Sequence, residues 1–174
     1  MSKLLVDSIG PKDASNTTAM TIDSSGRILT PARPAFRARM SDGTGSTGFN
    51  GTLVFETEDF DIGGNYNTSN GRFTAPITGI YWFSFDSLTA TDTSGSSNAT
   101  TDVAYVDFQK NGTSIEGSRS YAYHVGGNWQ TSLVRADLLS LSANDYIEVK
   151  FVSEHAYFDN NNLYDPVFQG YLVG

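Results

Sequence analysis

The sequence predicts an all-β fold, a sandwich of antiparallel sheets, from two observations. Short runs of β-branched and aromatic residues recur along the 174-residue chain, and clusters of Gly, Asn, Ser and Pro separate them. No stretch repeats apolar residues at the helical spacing of three and four residues. The chain contains no cysteine, which excludes a disulfide framework and a thiolate metal site. A chain of this length is sufficient for one domain with a hydrophobic core.

The first 33 residues differ from the rest and predict an N-terminal arm. Two short alternating segments flank the sequence DSSG at residues 23–26, which is typical of a turn that closes a hairpin. Pro31 and Pro34 then mark a boundary, because proline is disfavoured in helix interiors and central strands. We therefore expect residues 1–33 to form an extended or hairpin arm and residues 34–174 to form a separate head.

The head contains seven predicted strands separated by turns. They are residues 35–40, 53–55, 80–85, 103–110, 129–139, 146–152 and 167–173, with an acidic connection at 56–61. Alternation directs Phe36, Ala38 and Met40 of the first strand inward. Asn111-Gly112 is the strongest hairpin signal in the chain. Runs rich in Gly, Ser, Thr and Asn at 41–51, 89–101 and 159–165 predict surface loops, where recognition commonly takes place.

The third predicted strand of the head is apolar on both faces. Side chains alternate along a strand, so Tyr81, Phe83 and Phe85 point one way. Ile80 and Trp82 point the other way, toward a face that water covers in an ordinary sandwich. A second apolar face needs a cover, and we expect a partner subunit to supply it.

Several spaced motifs of the head resemble the signature of the complement C1q globular domain. They are Tyr66-Asn67, Gly71-x-Phe73-Thr74-Ala75-Pro76, Gly79-x-Tyr81-x-Phe83, LSANDYI at 141–147, and Phe168-x-Gly170-Tyr171-Leu172. That family more often has Gly where Asn144 stands, and Asn tolerates a positive φ. The resemblance implies a jelly-roll sandwich of the tumour necrosis factor type that assembles as a homotrimer. Residues expected in its core or trimer interface are Tyr81, Trp82, Phe83, Phe85, Phe168 and Tyr171.

The arm resembles the N-terminal arms of tailed-bacteriophage virion proteins, in which strand–turn–strand segments like MTIDSSG at 20–26 recur. An ordinary disordered leader is the alternative interpretation. The resemblance implies that residues 1–33 dock on other virion proteins and that the head lies on the particle surface. The first ten residues are too short and too charged for a signal peptide, so we expect synthesis in the host cytoplasm.

Composition disfavours two classes of partner. The formal net charge is −8 with a pI near 4.5, whereas nucleic-acid binders concentrate Lys and Arg. No apolar run approaches the length of a membrane span, so membrane insertion is not expected.

No set of residues predicts catalysis, and we interpret the protein as not an enzyme. His124 and His155 have no ligand-spaced partner, and the sequence contains no Gly-x-Ser-x-Gly nucleophile motif. No cofactor is expected apart from calcium, for which Asp159 and Asp165 in an Asn-rich segment are the candidate ligands. A turn stabilised by Asn and Asp side chains is the simpler explanation of that segment.

Aromatic residues near the loops are the candidate receptor contacts. Tyr121, Tyr123 and Trp129 neighbour acidic and Asn-rich segments. Aromatic and amide groups together suit a host surface glycan or a protein partner, and they suit a trimer interface equally well.

The function that these sequence features favour is a tail-fibre or receptor-binding module for host adhesion. A capsid decoration protein is the closest alternative, because the same trimer on an arm also suits a cement or spike protein. A complement-like or cytokine-like signalling ligand is a second alternative. A glycan depolymerase is the third, and no pair of carboxylates flanking a groove can be assigned to it.

Overall fold

The computed structural model describes residues 8–9, 20–40, 50–90, 101–125, 130–153 and 163–174, and these contain strands and turns but no helix. The fifteen strands are β1 Ser8–Ile9, β2 Met20–Ile22, β3 Ile28–Leu29, β4 Ala35–Arg39, β5 Asn50–Thr52, β6 Thr57–Ile62, β7 Tyr66–Asn67, β8 Arg72–Thr74, β9 Gly79–Ala90, β10 Thr101–Lys110, β11 Thr113–Ser114, β12 Ser120–Val125, β13 Gln130–Leu141, β14 Tyr146–Ser153 and β15 Leu163–Leu172. The all-β prediction is confirmed.

The strands form three antiparallel sheets. A five-stranded sheet has the order β13-β9-β15-β4-β6, and a seven-stranded sheet has the order β11-β10-β14-β8-β7, with β12 beside β10 and β5 beside β14. These two sheets pack against each other as the predicted jelly-roll sandwich. The arm forms a third, small sheet in the order β1-β2-β3, with the predicted hairpin between β2 and β3. Its separation from the head as a domain stays a prediction.

Aromatic side chains fill the space between the two large sheets. Tyr81, Phe83 and Phe85 alternate inward along β9 and are fully buried, as is Phe168 of β15. Phe36 of β4 completes the cluster. Its ring lies 4.9 Å from those of Tyr66, Phe73 and Phe168, measured between centroids. The predicted inward direction of Phe36 and Ala38 is confirmed, and Met40 packs against the margin of the same core.

Three turns have the backbone conformation that their residues predict. The Asn111-Gly112 turn between β10 and β11 has φ values of 53° and 78°, so both central residues are left-handed as a tight hairpin requires. Asn144 has a φ of 72°, which explains how it stands where Gly is more usual. Gly71 also has a positive φ, and a Cβ there would collide with the carbonyl oxygen of Leu53.

Two predicted elements were wrong. Residues 53–55 are not a strand, because the ladder beside β14 ends at Thr52, although Leu53 and Phe55 are buried. The acidic connection at 56–61 is instead largely β6, the strand that pairs with β4. Its charge is tolerated because β6 is an edge strand, where Asp59 forms ion pairs with arginines of β4.

The remaining strands keep their predicted positions and differ in length. The strand predicted at 80–85 extends over twelve residues as β9, and the last strand begins four residues earlier than predicted, at Leu163. Most of the predicted loops at 41–51 and 89–101 lies outside the described residues.

The antiparallel register defines two ends of the head. At the base end β4 begins and β15 ends, and the amide of Leu172 donates to the carbonyl oxygen of Pro34, the last residue before β4. At the opposite, tip end lie the strand termini that flank all four undescribed segments of the head. These termini belong to β4 and β5, β9 and β10, β12 and β13, and β14 and β15.

Candidate interaction surfaces

The outer face of the five-stranded sheet carries a row of apolar side chains near the base end. Register places Leu138, Trp82 and Tyr171 side by side on β13, β9 and β15. Ala35 and Ile62 continue the row across β4 and β6. The rings of Trp82 and Tyr171 lie 5.4 Å apart. We call this row, together with Ile80, the assembly face.

Within the described part of the chain, most of the assembly face is exposed. Leu138 is 64% exposed, Tyr171 is 44% exposed and Ile80 is 40% exposed, while Trp82 is half-buried between its neighbours. A contiguous apolar surface of this kind on a soluble domain marks a site of association. Because the side chains of β9 alternate, the buried Tyr81 and Phe83 and the outward Trp82 have separate roles, as the sequence predicted.

The same face becomes polar toward the tip end. Arg37 and Arg39 of β4 form ion pairs with Asp59 of β6. On the neighbouring strands the side-chain amide of Gln169 donates to the hydroxyl of Ser84 at 3.1 Å. The assembly face is therefore bounded on one side by groups that already satisfy one another.

Both edges of this sheet carry charged side chains on the inner face. Asp61 of β6 lies opposite Phe36, and its carboxylate accepts a 2.8 Å hydrogen bond from the Tyr66 amide. On the other edge strand Asp137 lies opposite Phe83 and pairs with Arg135. Inward-pointing charges oppose the pairing of an edge strand with another sheet. The face of the sheet, rather than its edges, is thus the surface open to association.

On the seven-stranded sheet, three tyrosines form a row on the outer face, which we call the tyrosine row. Tyr105 of β10 lies opposite Tyr121 of β12, and Tyr123 follows two positions along β12 toward the tip end. Ring centroids are 5.5 Å apart for Tyr105 and Tyr121 and 5.8 Å apart for Tyr121 and Tyr123. The intervening Ala122 is buried, which fixes the outward direction of both tyrosines of β12.

Arg119 locks the base end of the tyrosine row. Its guanidinium carbon lies 4.1 Å from the centre of the Tyr105 ring. One terminal nitrogen donates to the Tyr121 hydroxyl at 3.3 Å, and the other donates to Oδ2 of Asp107 at 3.1 Å. The hydroxyl of Ser114 donates to the same Oδ2 at 3.0 Å. Asp107 is buried, and its charge is neutralised by Arg119.

A second unit of the same composition lies across the sheet. Arg72 of β8 stacks over the Tyr146 ring at 4.2 Å and donates to the carboxylate of Glu148 at 2.8 Å. Glu148 is only 3% exposed although it is on the outer face. Each arginine therefore covers a carboxylate and an aromatic ring at once, which removes charge and apolar surface from contact with water.

The base end is closed by a polar network around Asp145. Its carboxylate accepts hydrogen bonds from the Asn111 side chain and from the Ser142 amide, and it pairs with Lys110 at 2.7 Å. The hydrogen bonds from Lys110 and Asn111 lower the pKa of Asp145 to about 2. Asn111 also accepts from the Tyr146 amide, so this network ties the β10–β11 turn to the β13–β14 turn.

Some candidate residues fall outside these surfaces. Trp129, Asp159 and His155 lie outside the described residues, so their predicted roles are untested. Asp165 is exposed, with a φ of 48° near the start of β15. Within the described part of the chain, no group of three side chains suited to a metal is present, and calcium stays a prediction. The same residues include no helix able to cross a membrane.

Two elements of these surfaces were not predicted from the sequence. Leu138 is in a predicted strand, but its alignment with Trp82 depends on the register between β13 and β9. Arg119 and Asp107 are twelve residues apart and meet only because β12 folds back on β10. The alternation of Leu138 with Asp137 points the wrong way, because it would direct the apolar side chain inward and the charged one outward.

Comparison with known proteins agrees with this geometry. The family model "C1q domain" matches residues 35–173. Complement C1q tumor necrosis factor-related protein 3 of Homo sapiens and that of Mus musculus are each 25% identical over 124 residues, which is 71% of this chain. The matched region spans 45% of the length of those relatives.

Among solved structures, the globular domain of zebrafish complement 1qA protein superimposes with a TM-score of 0.59 and 18% identity. The match covers 82% of this chain and 98% of that one, which shows a shared fold. The strand order of the two sheets, the buried signature aromatics and the family model that spans β4 to β15 lead to one conclusion: the chain belongs to the C1q domain family.

Proposed function

We propose that the protein is a trimeric, non-enzymatic surface module of a bacteriophage particle that attaches the particle to its host. The observation that carries the proposal is that the head has two distinct ends. The arm enters at the base end, and the strand termini that flank all four undescribed segments lie at the tip end. A module anchored by its base presents its tip outward, where connections on a rigid β scaffold are the usual sites of recognition.

The assembly face supports the trimer. Domains of the C1q and tumour necrosis factor type typically form homotrimers. In this chain Leu138, Trp82 and Tyr171 supply an apolar surface that needs a cover, and charged edge strands leave the face as the route of association. Three copies also multiply a weak contact through effective concentration, so that each tip needs only modest affinity.

The phage setting rests on the arm. Its β2–β3 hairpin follows the strand–turn–strand pattern, and the Asp23 side chain organises the turn by accepting from the amides of Ser25 and Arg27 at 2.9 Å. Residues 1–33 are proposed to dock on other virion proteins. The non-enzymatic role agrees with a family of ligand and structural modules.

An adsorption-competition assay tests the proposal. Purified full-length protein is added to bacteria before the particles that carry the protein, and adsorption of the particles is counted. Host attachment predicts that the protein coats the cells and reduces adsorption. In the capsid-decoration alternative the protein ignores cells, and particles that lack it adsorb normally but fail sooner on heating. If the protein neither competes nor protects particles, both roles are excluded.

A signalling ligand is the second candidate, because the curated relatives carry the name of complement C1q tumor necrosis factor-related protein 3. The likeness is 25% identity over less than half of the length of those relatives. Binding of the fluorescently labelled trimer to cultured animal cells, with none to bacteria, would favour this candidate.

A further inference from the structure

We infer that the tyrosine row is a binding site for neutral sugar rings, with Arg119 as its fixed hydrogen-bond donor. This inference rests on the proposed host attachment and specifies one of its contacts. Tyr123 and Tyr121 are 58% and 45% exposed, and Tyr123 is the most exposed aromatic side chain among the described residues. Two exposed rings in a row provide rigid, amphipathic contact area at low cost in conformational entropy.

The base end of the tyrosine row is pre-organised. Arg119 contacts the Tyr105 ring, the Tyr121 hydroxyl and the Asp107 carboxylate simultaneously. Gln109 donates to the Ser114 hydroxyl at 3.2 Å, which in turn donates to Asp107, so the carboxylate is itself held in place. A donor fixed in this way loses little freedom when a ligand binds, which favours affinity.

The open end of the tyrosine row lies at Tyr123. Among the described residues its ring has an aromatic neighbour on the Tyr121 side. Because Tyr123 is more exposed than Tyr121 and nearer the tip end, a ligand at the tip can extend the stack beyond it. A polymer of rings that lies along β12 would pass over Tyr123 and Tyr121 and reach Arg119.

Charge selects among ligands. Arg119 is neutralised by Asp107, so its guanidinium offers little net positive charge to phosphate or sulfate groups. The chain as a whole carries a formal charge of −8, which repels polyanions. Asp107 is 1% exposed, and its Oδ1 has no hydrogen-bond partner among the described residues. Because Asp107 is buried while the Arg119 side chain is 39% exposed, a ligand at this end of the row meets the guanidinium and not the carboxylate.

These features together describe a neutral polyhydroxylated ring. Such a ring has a C–H face that packs on a phenol ring and hydroxyl groups that exchange hydrogen bonds with Arg119 and the tyrosine hydroxyls. A protein partner needs a broader surface, about 800 Å² on each side for a stable complex. The tyrosine row is only one ring wide, and its base end is occupied by the ion pair of Arg119 with Asp107.

Affinity electrophoresis of the full-length protein tests the inference. Native gels contain dextran, mannan or galactan as neutral probes and alginate as an anionic probe. We expect at least one neutral polymer to retard the protein. Tyr121→Ala and Tyr123→Ala should each weaken that retardation on the order of tenfold, because three sites act together in a trimer. Tyr146→Ala, on the same sheet but outside the row, is the matched control and should bind like wild type.

Two patterns of retardation would contradict the inference. Retardation by alginate alone would exclude a neutral ligand, and retardation insensitive to Tyr121 and Tyr123 would exclude the tyrosine row. Tyr121→Phe and Tyr123→Phe keep the rings and should keep most of the binding if the fold is intact. If no polymer retards the protein while it still competes for adsorption, the sugar site fails and the proposed function stands. If alanine variants then lose competition, the receptor is a protein.

Discussion

On the outer face of the five-stranded sheet, Leu138, Trp82 and Tyr171 form an apolar row that no described residue covers, whereas on the outer face of the seven-stranded sheet each buried carboxylate has an arginine. Arg119 covers Asp107 and Tyr105, and Arg72 covers Glu148 and Tyr146. The first face leaves apolar side chains that a second copy of the chain would cover. On the second face the buried carboxylates are paired within the chain.

One sandwich can thus have one outer face suited to association between copies and another suited to exposure to water. Apolar burial is non-directional, so an open apolar face favours association with a complementary copy. Arginine with a carboxylate and a ring, in contrast, satisfies the polar groups of a face within one chain. A face whose buried charges are paired in this way can carry exposed rings such as Tyr121 and Tyr123 without the continuous apolar surface that drives self-association.

The largest expected effect on stability distinguishes two adjacent residues of β9, one in the core and one in the assembly face. Phe83→Ala should lower the free energy of unfolding by about 3–5 kcal/mol, because Phe83 is fully buried among Phe36, Phe73 and Phe168. Trp82→Ala removes a larger side chain but should mainly weaken the trimer. Denaturant unfolding and sedimentation distinguish them, and equal effects of the two substitutions on unfolding of the dissociated chain would argue against the separation.

The next largest effect is expected on trimer dissociation, from a change in the assembly face alone. Leu138→Asp places a charge in an apolar interface and should raise the dissociation constant of the trimer by about a hundredfold or more. The fold should survive, because Leu138 is the most exposed residue of the row. Tyr123→Asp on the other sheet is the control and should leave the trimer intact. A reversed pattern would assign assembly to the seven-stranded sheet.

A smaller effect on stability is expected at the outer face of the seven-stranded sheet. Arg72→Ala leaves the buried carboxylate of Glu148 without its partner, which should cost about 1–3 kcal/mol of stability in thermal or denaturant unfolding. Replacing both residues, as Arg72→Met with Glu148→Met, should recover much of that loss, because no buried charge remains. If the double variant is no more stable than Arg72→Ala, the ion pair itself contributes the stability.

The smallest effect is a pH dependence at the base end. The pKa of Asp145 is lowered to about 2 by its hydrogen bonds from Lys110 and Asn111. A carboxylate has a pKa of about 3.9 in an unfolded chain, so the stabilisation is complete above that pH and is lost as pH falls through about 2. Melting temperatures between pH 6 and pH 2 should show this loss, and Asp145→Asn should reduce it. An identical slope in the variant would remove Asp145 as its source.

Local patterns predicted the core well. Alternation along β9 placed Tyr81, Phe83 and Phe85 inward because the side-chain period of a strand depends on no distant contact. Asn111-Gly112 predicted its hairpin because both residues accept a positive φ. The family motifs supplied the jelly-roll topology, which periodicity alone does not determine.

Features that depend on partners across strands were beyond local patterns. The charged sequence of β6 was interpreted as a connection, since nothing near it in sequence shows that Arg37 and Arg39 neutralise Asp59. The same holds for the pairing of Arg72 with Glu148, which are 76 residues apart. Sequence analysis singled out Tyr121 and Tyr123 but not the arginine and carboxylate that organise their surroundings.

Sedimentation equilibrium of the wild-type chain at micromolar concentration determines whether copies of the chain cover the assembly face. We expect a single species of three times the 18.8 kDa chain mass. A well-folded monomer under these conditions would leave Leu138, Trp82 and Tyr171 open to water and would contradict that expectation.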